Sequence, residues 1–249
     1  LLCDRILSAD GIGPGCLVME GGNIAALDAA PPPEAIVFDC RGLLVAPALV
    51  DVHGDALERQ LAPRPGVHFP LDAAVLDTDG QLAANGIATA YHALTLSWEP
   101  GLRAVSQSEA GAAALDALAP RCAVDHRVQL RWETFEPAAI PLIERALAGP
   151  RTPSVAFNDH VSMMVRPFGL RVQERAPDCD PERPVADFSD PAMEERIGGN
   201  AKRAGLKANA YIDRLAKIWD TRHAVPGHIE QVAALARAAG APMLSHDDN

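Results

Sequence analysis

Apolar and polar positions change rhythm once along this chain. Up to about residue 45 the apolar runs are short and separated by turn residues. Leu17-Val18-Met19-Glu20 leads into Gly21-Gly22-Asn23, and Ile24-Ala25-Ala26-Leu27 follows. Strand, Gly-Gly turn and strand predict a hairpin. Ala30-Pro31-Pro32-Pro33 is a polyproline break, and Ile36-Val37-Phe38-Asp39 predicts a further strand. Residues 1–45 are therefore expected to form a small β unit.

Longer apolar runs follow. Leu43 to Val52 is apolar except for Asp51 and predicts a strand buried on both faces, as in a parallel sheet. Further strands are predicted over Gly86–Leu94, Arg127–Glu133, Ser154–Asn158 and Pro242–Ser245. Helical spacing fills the gaps: Ala104–Leu118, Pro137–Ala148, Pro191–Trp219 with an interruption at Gly198-Gly199, and Pro226–Ala239. Strand alternating with helix predicts parallel β/α units. About five strands stand against the eight of a closed barrel. The expected fold is thus α/β, a TIM-like (β/α)8 barrel over 46–249 that is incomplete at its C-terminal end. Residues 161–190, rich in Pro and holding Arg166, Arg171, Arg175 and Arg183, predict an excursion such as a lid.

Composition narrows the function classes. Of 249 residues, 48% are hydrophobic and only 4% aromatic, so the core must be built from Ala, Val, Leu and Ile. The formal net charge of −11 argues against nucleic acid and anionic membranes as partners. It leaves room for an anionic substrate, because a local group of Arg and metal can invert the field in a cleft. The five Cys are scattered without C-x-x-C spacing, which fits a reducing cytoplasm better than a disulfide framework. No apolar run reaches the roughly 18 residues that a membrane span needs.

The informative polar residues are those that end apolar strands, where a parallel barrel builds its site. The first strand end supplies His53 and Asp55, the third Glu133, the fourth Asn158-Asp159-His160, and the fifth His246 with Asp247 and Asp248. His53 and Asp55, two apart on an extended segment, point to one side. Imidazole and carboxylate suit Zn, Mn or Fe. Glu133 could bridge two divalent ions, with His160 and His246 on the second. Water between two such ions becomes hydroxide near neutral pH. Each residue alone has an ordinary reading: His53-Gly54-Asp55 as a surface turn, Glu133 as a partner of Arg131, His160 and His246 as residues at helix starts. Their joint placement at strand ends is what points to a site.

The run Val45-Ala46-Pro47-Ala48-Leu49-Val50-Asp51-Val52-His53 resembles the entry strand of the amidohydrolase superfamily. Ala48 replaces the usual Gly, and Asp55 the usual second His. His-x-Asp followed by Pro63-Arg64-Pro65-Gly66 resembles the phosphonate-metabolism branch of that superfamily. The likeness continues at Asp79-Gly80-Gln81-Leu82, Gly86-Ile87-Ala88-Thr89, Leu130-Arg131-Trp132-Glu133, Asn158-Asp159-His160 and Ser245-His246-Asp247-Asp248. The resemblance implies hydrolysis of α-D-ribose 1-methylphosphonate 5-triphosphate to the 5-phosphate and pyrophosphate. It implies His53, Asp55, Glu133, His160 and His246 as metal ligands. The branch also uses an Asp at the last barrel strand, which no residue here matches. Asp247 is expected to orient His246 or a water.

A triphosphate needs cations, and Arg64 between two prolines is the first candidate. Trp98 and Trp132 are expected to pack rather than stack on substrate. Two other readings stand beside this one: an amidohydrolase acting on a C–N bond, and a non-catalytic fragment that binds metal or a partner. The oligomeric state is left open, a homo-oligomer included.

Overall fold

The computed structural model describes residues 1–64, 66–177 and 180–245. The chain divides into two compact units, Leu1–Leu49 and Val50–Asn249. The first is a four-stranded sheet of order β3-β2-β1-β4, formed by β1 (Leu2–Ser8), β2 (Gly11–Glu20), β3 (Asn23–Leu27) and β4 (Leu44–Val45). Gly21 and Gly22 both take positive φ in the turn between β2 and β3, which is why the hairpin closes there. Cys3, Ile6 and Leu17 make its small core. The strand expected at Ile36–Asp39 is absent; only Asp39 bridges to Leu2. Ile36, Val37 and Phe38 are exposed, so this segment has no core to alternate against.

The second unit is built on a five-stranded sheet of order β5-β6-β7-β8-β9, curled as half a barrel. Its strands are β5 (Leu49–Gly54), β6 (Ile87–Leu96), β7 (Asp125–Glu133), β8 (Ser154–Asn158) and β9 (Met243–Ser245). Pairing is parallel from β6 to β9. Between them run α1 (Ala56–Leu61), α2 (Leu71–Ala84), α3 (Val105–Leu118), α4 (Ile140–Leu147), α5 (His160–Val165), α6 (Pro191–Arg203), α7 (Ala208–Trp219) and α8 (Val225–Ala238).

Alternation along the strands sorts the two faces of this sheet. Leu96, Leu130, Trp132 and Val155 pack on Ile140, Ile143 and Leu147 of α4 and on Val232 and Ala236 of α8. Gln129, Arg131, Glu133 and Asn158 alternate with them and lie on the opposite, polar face. A second core gathers Trp98, Phe135, Val161, Val165, Met193, Ile197, Tyr211 and Trp219 from α5, α6, α7 and the loops after β6 and β7. Trp98 and Trp132 are both packing residues, as expected.

Three expectations need correction. Leu43 to Val52 is two strands, split around Pro47, and β5 is not buried on both faces: Val50 and Val52 are 57% and 60% exposed. β5 sits at the sheet edge with only β6 beside it, so its apolar side chains lack a second neighbour. Gly198-Gly199 does not interrupt a helix; α6 runs through both. The break falls at Gly205, whose φ of +68° is the left-handed conformation that ends helices. The 161–190 excursion is partly packed, with α5 at its start and Arg183 and Ala186 buried.

Candidate active site

Four of the expected residues lie at or just past the C-terminal ends of β5, β7 and β8, where Glu133 meets His160 while His53 meets Gln129 and Asp55 lies beside Arg131. Glu133 ends β7 opposite Asn158 of β8 in the parallel register. Its carboxylate is 2% exposed and accepts from His160 twice, from the ring Nδ1 and from the backbone N–H at 3.2 Å. His160 opens α5, where the Asp159 side chain accepts from Ser162 N at 2.8 Å and fixes the helix start. Burial and the Arg131 and Arg103 cations push the His160 pKa down, but the hydrogen bond and charge of Glu133 prevail and raise it.

His53 Nδ1 meets Gln129 Oε1, and the Gln129 amide nitrogen donates to Val52 O at 3.2 Å. Gln129 thus ties β5 to β7 across the polar face. Asp55 is exposed and lies 3.7 Å from Arg131 Nη1. The Asn158 amide, oriented so that both ends are satisfied, accepts from Arg131 Nε at 2.7 Å. Arg131 is therefore held by Asp55 and Asn158, not by Glu133.

A cavity of about 570 Å³ opens beside His160. Its lining includes Glu99, Arg103, Arg166, Arg175, Arg196 and Arg203. A second cavity of about 540 Å³ holds His53, Asp55 and Arg131, and a third of about 560 Å³ holds Arg64, Lys202 and Arg203. Arg103 lines all three. A chain of net charge −11 thus concentrates guanidinium groups in one place. Arg103 is anchored to Glu99 at 3.3 Å, and Tyr211 donates its hydroxyl to the other Glu99 oxygen. Burial pulls the Arg103 pKa down, but Glu99, Glu58 and Glu133 raise it further, so the cation is secure. Arg196 is fixed by Phe168, whose ring centroid lies 3.8 Å from its guanidinium carbon, and by Met164 O at 3.2 Å.

Glu99, Arg103, Arg196 and Arg203 were not read from the sequence. Glu99 follows the same strand-end logic as Glu133, since β6 runs on to Leu96. The arginines come from the 3₁₀ turn after β6 and from α6, and no local pattern marks them as convergent. Arg64 lines only the third cavity. His246 and Asp247 lie outside the described residues.

The donor types on this face suit a divalent cation, and the buried Glu133–His160 pair is the strongest fit. Among the described residues, the expected ligands do not gather three donor atoms around one point; the group that does is elsewhere, at Asp79, Cys122 and His126. His53 and Asp55 are turned to Gln129 and Arg131.

The fold and site are those of an α/β half-barrel with an acid–imidazole pair beside a cationic cavity. Comparison with known proteins adds one relative. Over 240 residues, the chain is 26% identical to the α-D-ribose 1-methylphosphonate 5-triphosphate diphosphatase of Escherichia coli (strain K12). The match covers 94% of this chain and 57% of that protein, so the chain spans little more than half the relative's length. No family model and no solved structure matches. No helix among the described residues is long and apolar enough to cross a membrane.

Proposed function

We propose that this chain carries the site of a metal-dependent hydrolase of the amidohydrolase type, with 46–249 as its barrel domain. The bond cleaved is a phosphoric anhydride in a sugar triphosphate such as α-D-ribose 1-methylphosphonate 5-triphosphate. The observation that supports this most is that His160, paired to the buried Glu133, lines the same cavity as five arginines. The name of the 26% identical relative agrees with that chemistry.

His53, Asp55, Glu133, His160 and His246 are the side chains that would hold one or two divalent ions. An ion there would supply a water acidified to near neutral pKa. The protein's own contribution is electrostatic. Arg103 and its neighbours neutralise the polyphosphate and favour the charge that develops on the leaving pyrophosphate. Glu133 keeps the His160 ring in one orientation with a proton on Nδ1, and Asn158 and Asp55 aim Arg131. Arg64 would reach the outer phosphate, and Asp247 would orient His246 or a water.

The test is hydrolysis by chelated and metal-reconstituted protein of a sugar triphosphate, an N-acyl amide and a cyclic amide. Metal-dependent release of pyrophosphate from the first alone is expected. Turnover confined to an amide would move the site to C–N chemistry, and no metal dependence at all would remove the reading.

A further inference from the structure

We infer that Asp79, Cys122 and His126 form a second, structural site for a thiophilic divalent cation such as Zn²⁺, separate from the candidate active site. The three offer one carboxylate oxygen, one sulfur and one imidazole nitrogen, all within 4.8 Å of one another. Asp79 Oδ1 and His126 Nε2 are 3.1 Å apart. That contact is a hydrogen bond, and two atoms sharing a tetrahedral ion through bonds of about 2.0–2.2 Å stand roughly 3.3–3.6 Å apart, so an ion would replace it with a small opening of the pair.

The surroundings prepare the ligands. A metal-bound imidazole needs its other nitrogen held, which fixes the ring and its tautomer. His126 Nδ1 lies 2.7 Å from His92 Nε2, and the two rings stack with centroids 4.9 Å apart. His126 and His92 are both buried. Asp79 is fixed by Ala123 N, 3.0 Å from Oδ1 and 3.1 Å from Oδ2, and by Val124 N, 2.9 Å from Oδ1, so an ion at Oδ1 would take the place of the His126 hydrogen bond. Cys122 precedes these two residues, so the same turn that receives the carboxylate presents the thiol.

Position separates this site from the other. His126 is the second residue of β7 and Glu133 the last, so at about 3.3 Å per residue they stand roughly 23 Å apart. An ion at Asp79, Cys122 and His126 cannot share a ligand with Glu133. It would instead clamp α2 to the connection between α3 and β7. Three protein ligands leave one position for water, and the thiolate favours Zn²⁺ or Co²⁺ over Mg²⁺ or Ca²⁺. Binding displaces the Cys122 proton to solvent and leaves sulfur, nitrogen and oxygen on the ion.

The candidate active site holds no cysteine among the described residues, and Cys122→Ser separates this site from the remaining thiols, of which Cys3 and Cys40 pack together. Chelator-treated protein titrated with Co²⁺ is expected to show a near-ultraviolet thiolate-to-cobalt band. Zn²⁺ should abolish it, Cys122→Ser should remove it, and Glu133→Gln should leave it. No band in the wild-type protein, or a band that survives Cys122→Ser, overturns the site. A measurement without substitution stands beside it: Zn²⁺ should slow alkylation of Cys122, followed by peptide mass. Equal rates with and without Zn²⁺ overturn the proposal as well.

Discussion

Glu133 and His160 meet at the ends of adjacent strands, a buried carboxylate accepting from both the ring and the backbone of one residue. Parallel pairing makes the meeting possible. Glu133 is level with Asn158, and the turn into α5 swings the next-but-one side chain back over it.

If this pair lies at the centre of the chemistry, Glu133→Gln should lower turnover by about 10²–10⁴-fold, the range of a positioned acid–base group. His160→Ala should do the same. Because the two act as a unit, the double variant should be little worse than the poorer single one. Steady-state kinetics on a sugar triphosphate decides it; multiplying losses would mean that the residues work independently.

Arg175 lines the cavity beside His160 from the end of a 3₁₀ turn. A charged hydrogen bond to phosphate is worth roughly 1.5–3 kcal/mol. Arg175→Ala should therefore raise KM about 10-fold or more for a triphosphate, while far-UV circular dichroism stays unchanged. An unaltered KM would place the phosphates in another of the three cavities.

Much of this layout was legible in the sequence, for one reason. Strands buried against helices carry strong apolar signals, so β6, β7 and β8, and the polar residues that end β7 and β8, could be read directly. β5 misled because it carries the same apolar pattern yet sits at an edge. α2 was missed because its apolar positions are diluted by Asp72, Asp77, Asp79 and Gly80. The arginines were illegible for a different reason. Arg103, Arg196 and Arg203 become neighbours only when α6 packs near the end of β6, a relationship that no sequence spacing encodes. The trio Asp79, Cys122 and His126 was hidden likewise: Asp79 was noticed only as part of a family-like run, and Cys122 as one of five scattered thiols.

Tyr211 offers a test of the packing behind the cavity. Burial raises its pKa strongly, and the Glu99 carboxylate beside it raises it further. Tyr211 therefore stays protonated, and its contribution to stability is intact below the ordinary tyrosine value of about 10. That contribution is lost only as pH rises through the higher folded value. At about pH 11, one unit above that ordinary value, folded wild-type protein and Tyr211→Phe should show equal tyrosinate absorbance. Extra absorbance in the wild type would mean that Tyr211 ionises normally. At pH 7 the same variant leaves a Glu99 oxygen without its donor, and denaturant melts should show a loss of roughly 1–3 kcal/mol.

Gly54 stands between His53 and Asp55, and its space is already claimed. A Cβ built there would lie 2.7 Å from Asp51 Oδ2, closer than side chains pack. The Asp51 carboxylate also accepts from His53 N at 3.2 Å. Its far end can swing away, so Gly54→Ala should cost little stability. Once Asp51 swings, however, His53 loses a backbone anchor while its ring still leans on Gln129. A displacement near 1 Å at a reacting group can cost on the order of 10²-fold in rate. Gly54→Ala should therefore reduce turnover on a triphosphate with its melting temperature preserved. Full activity in a folded Gly54→Ala protein would show that the position of His53 does not matter, and would remove β5 from the site.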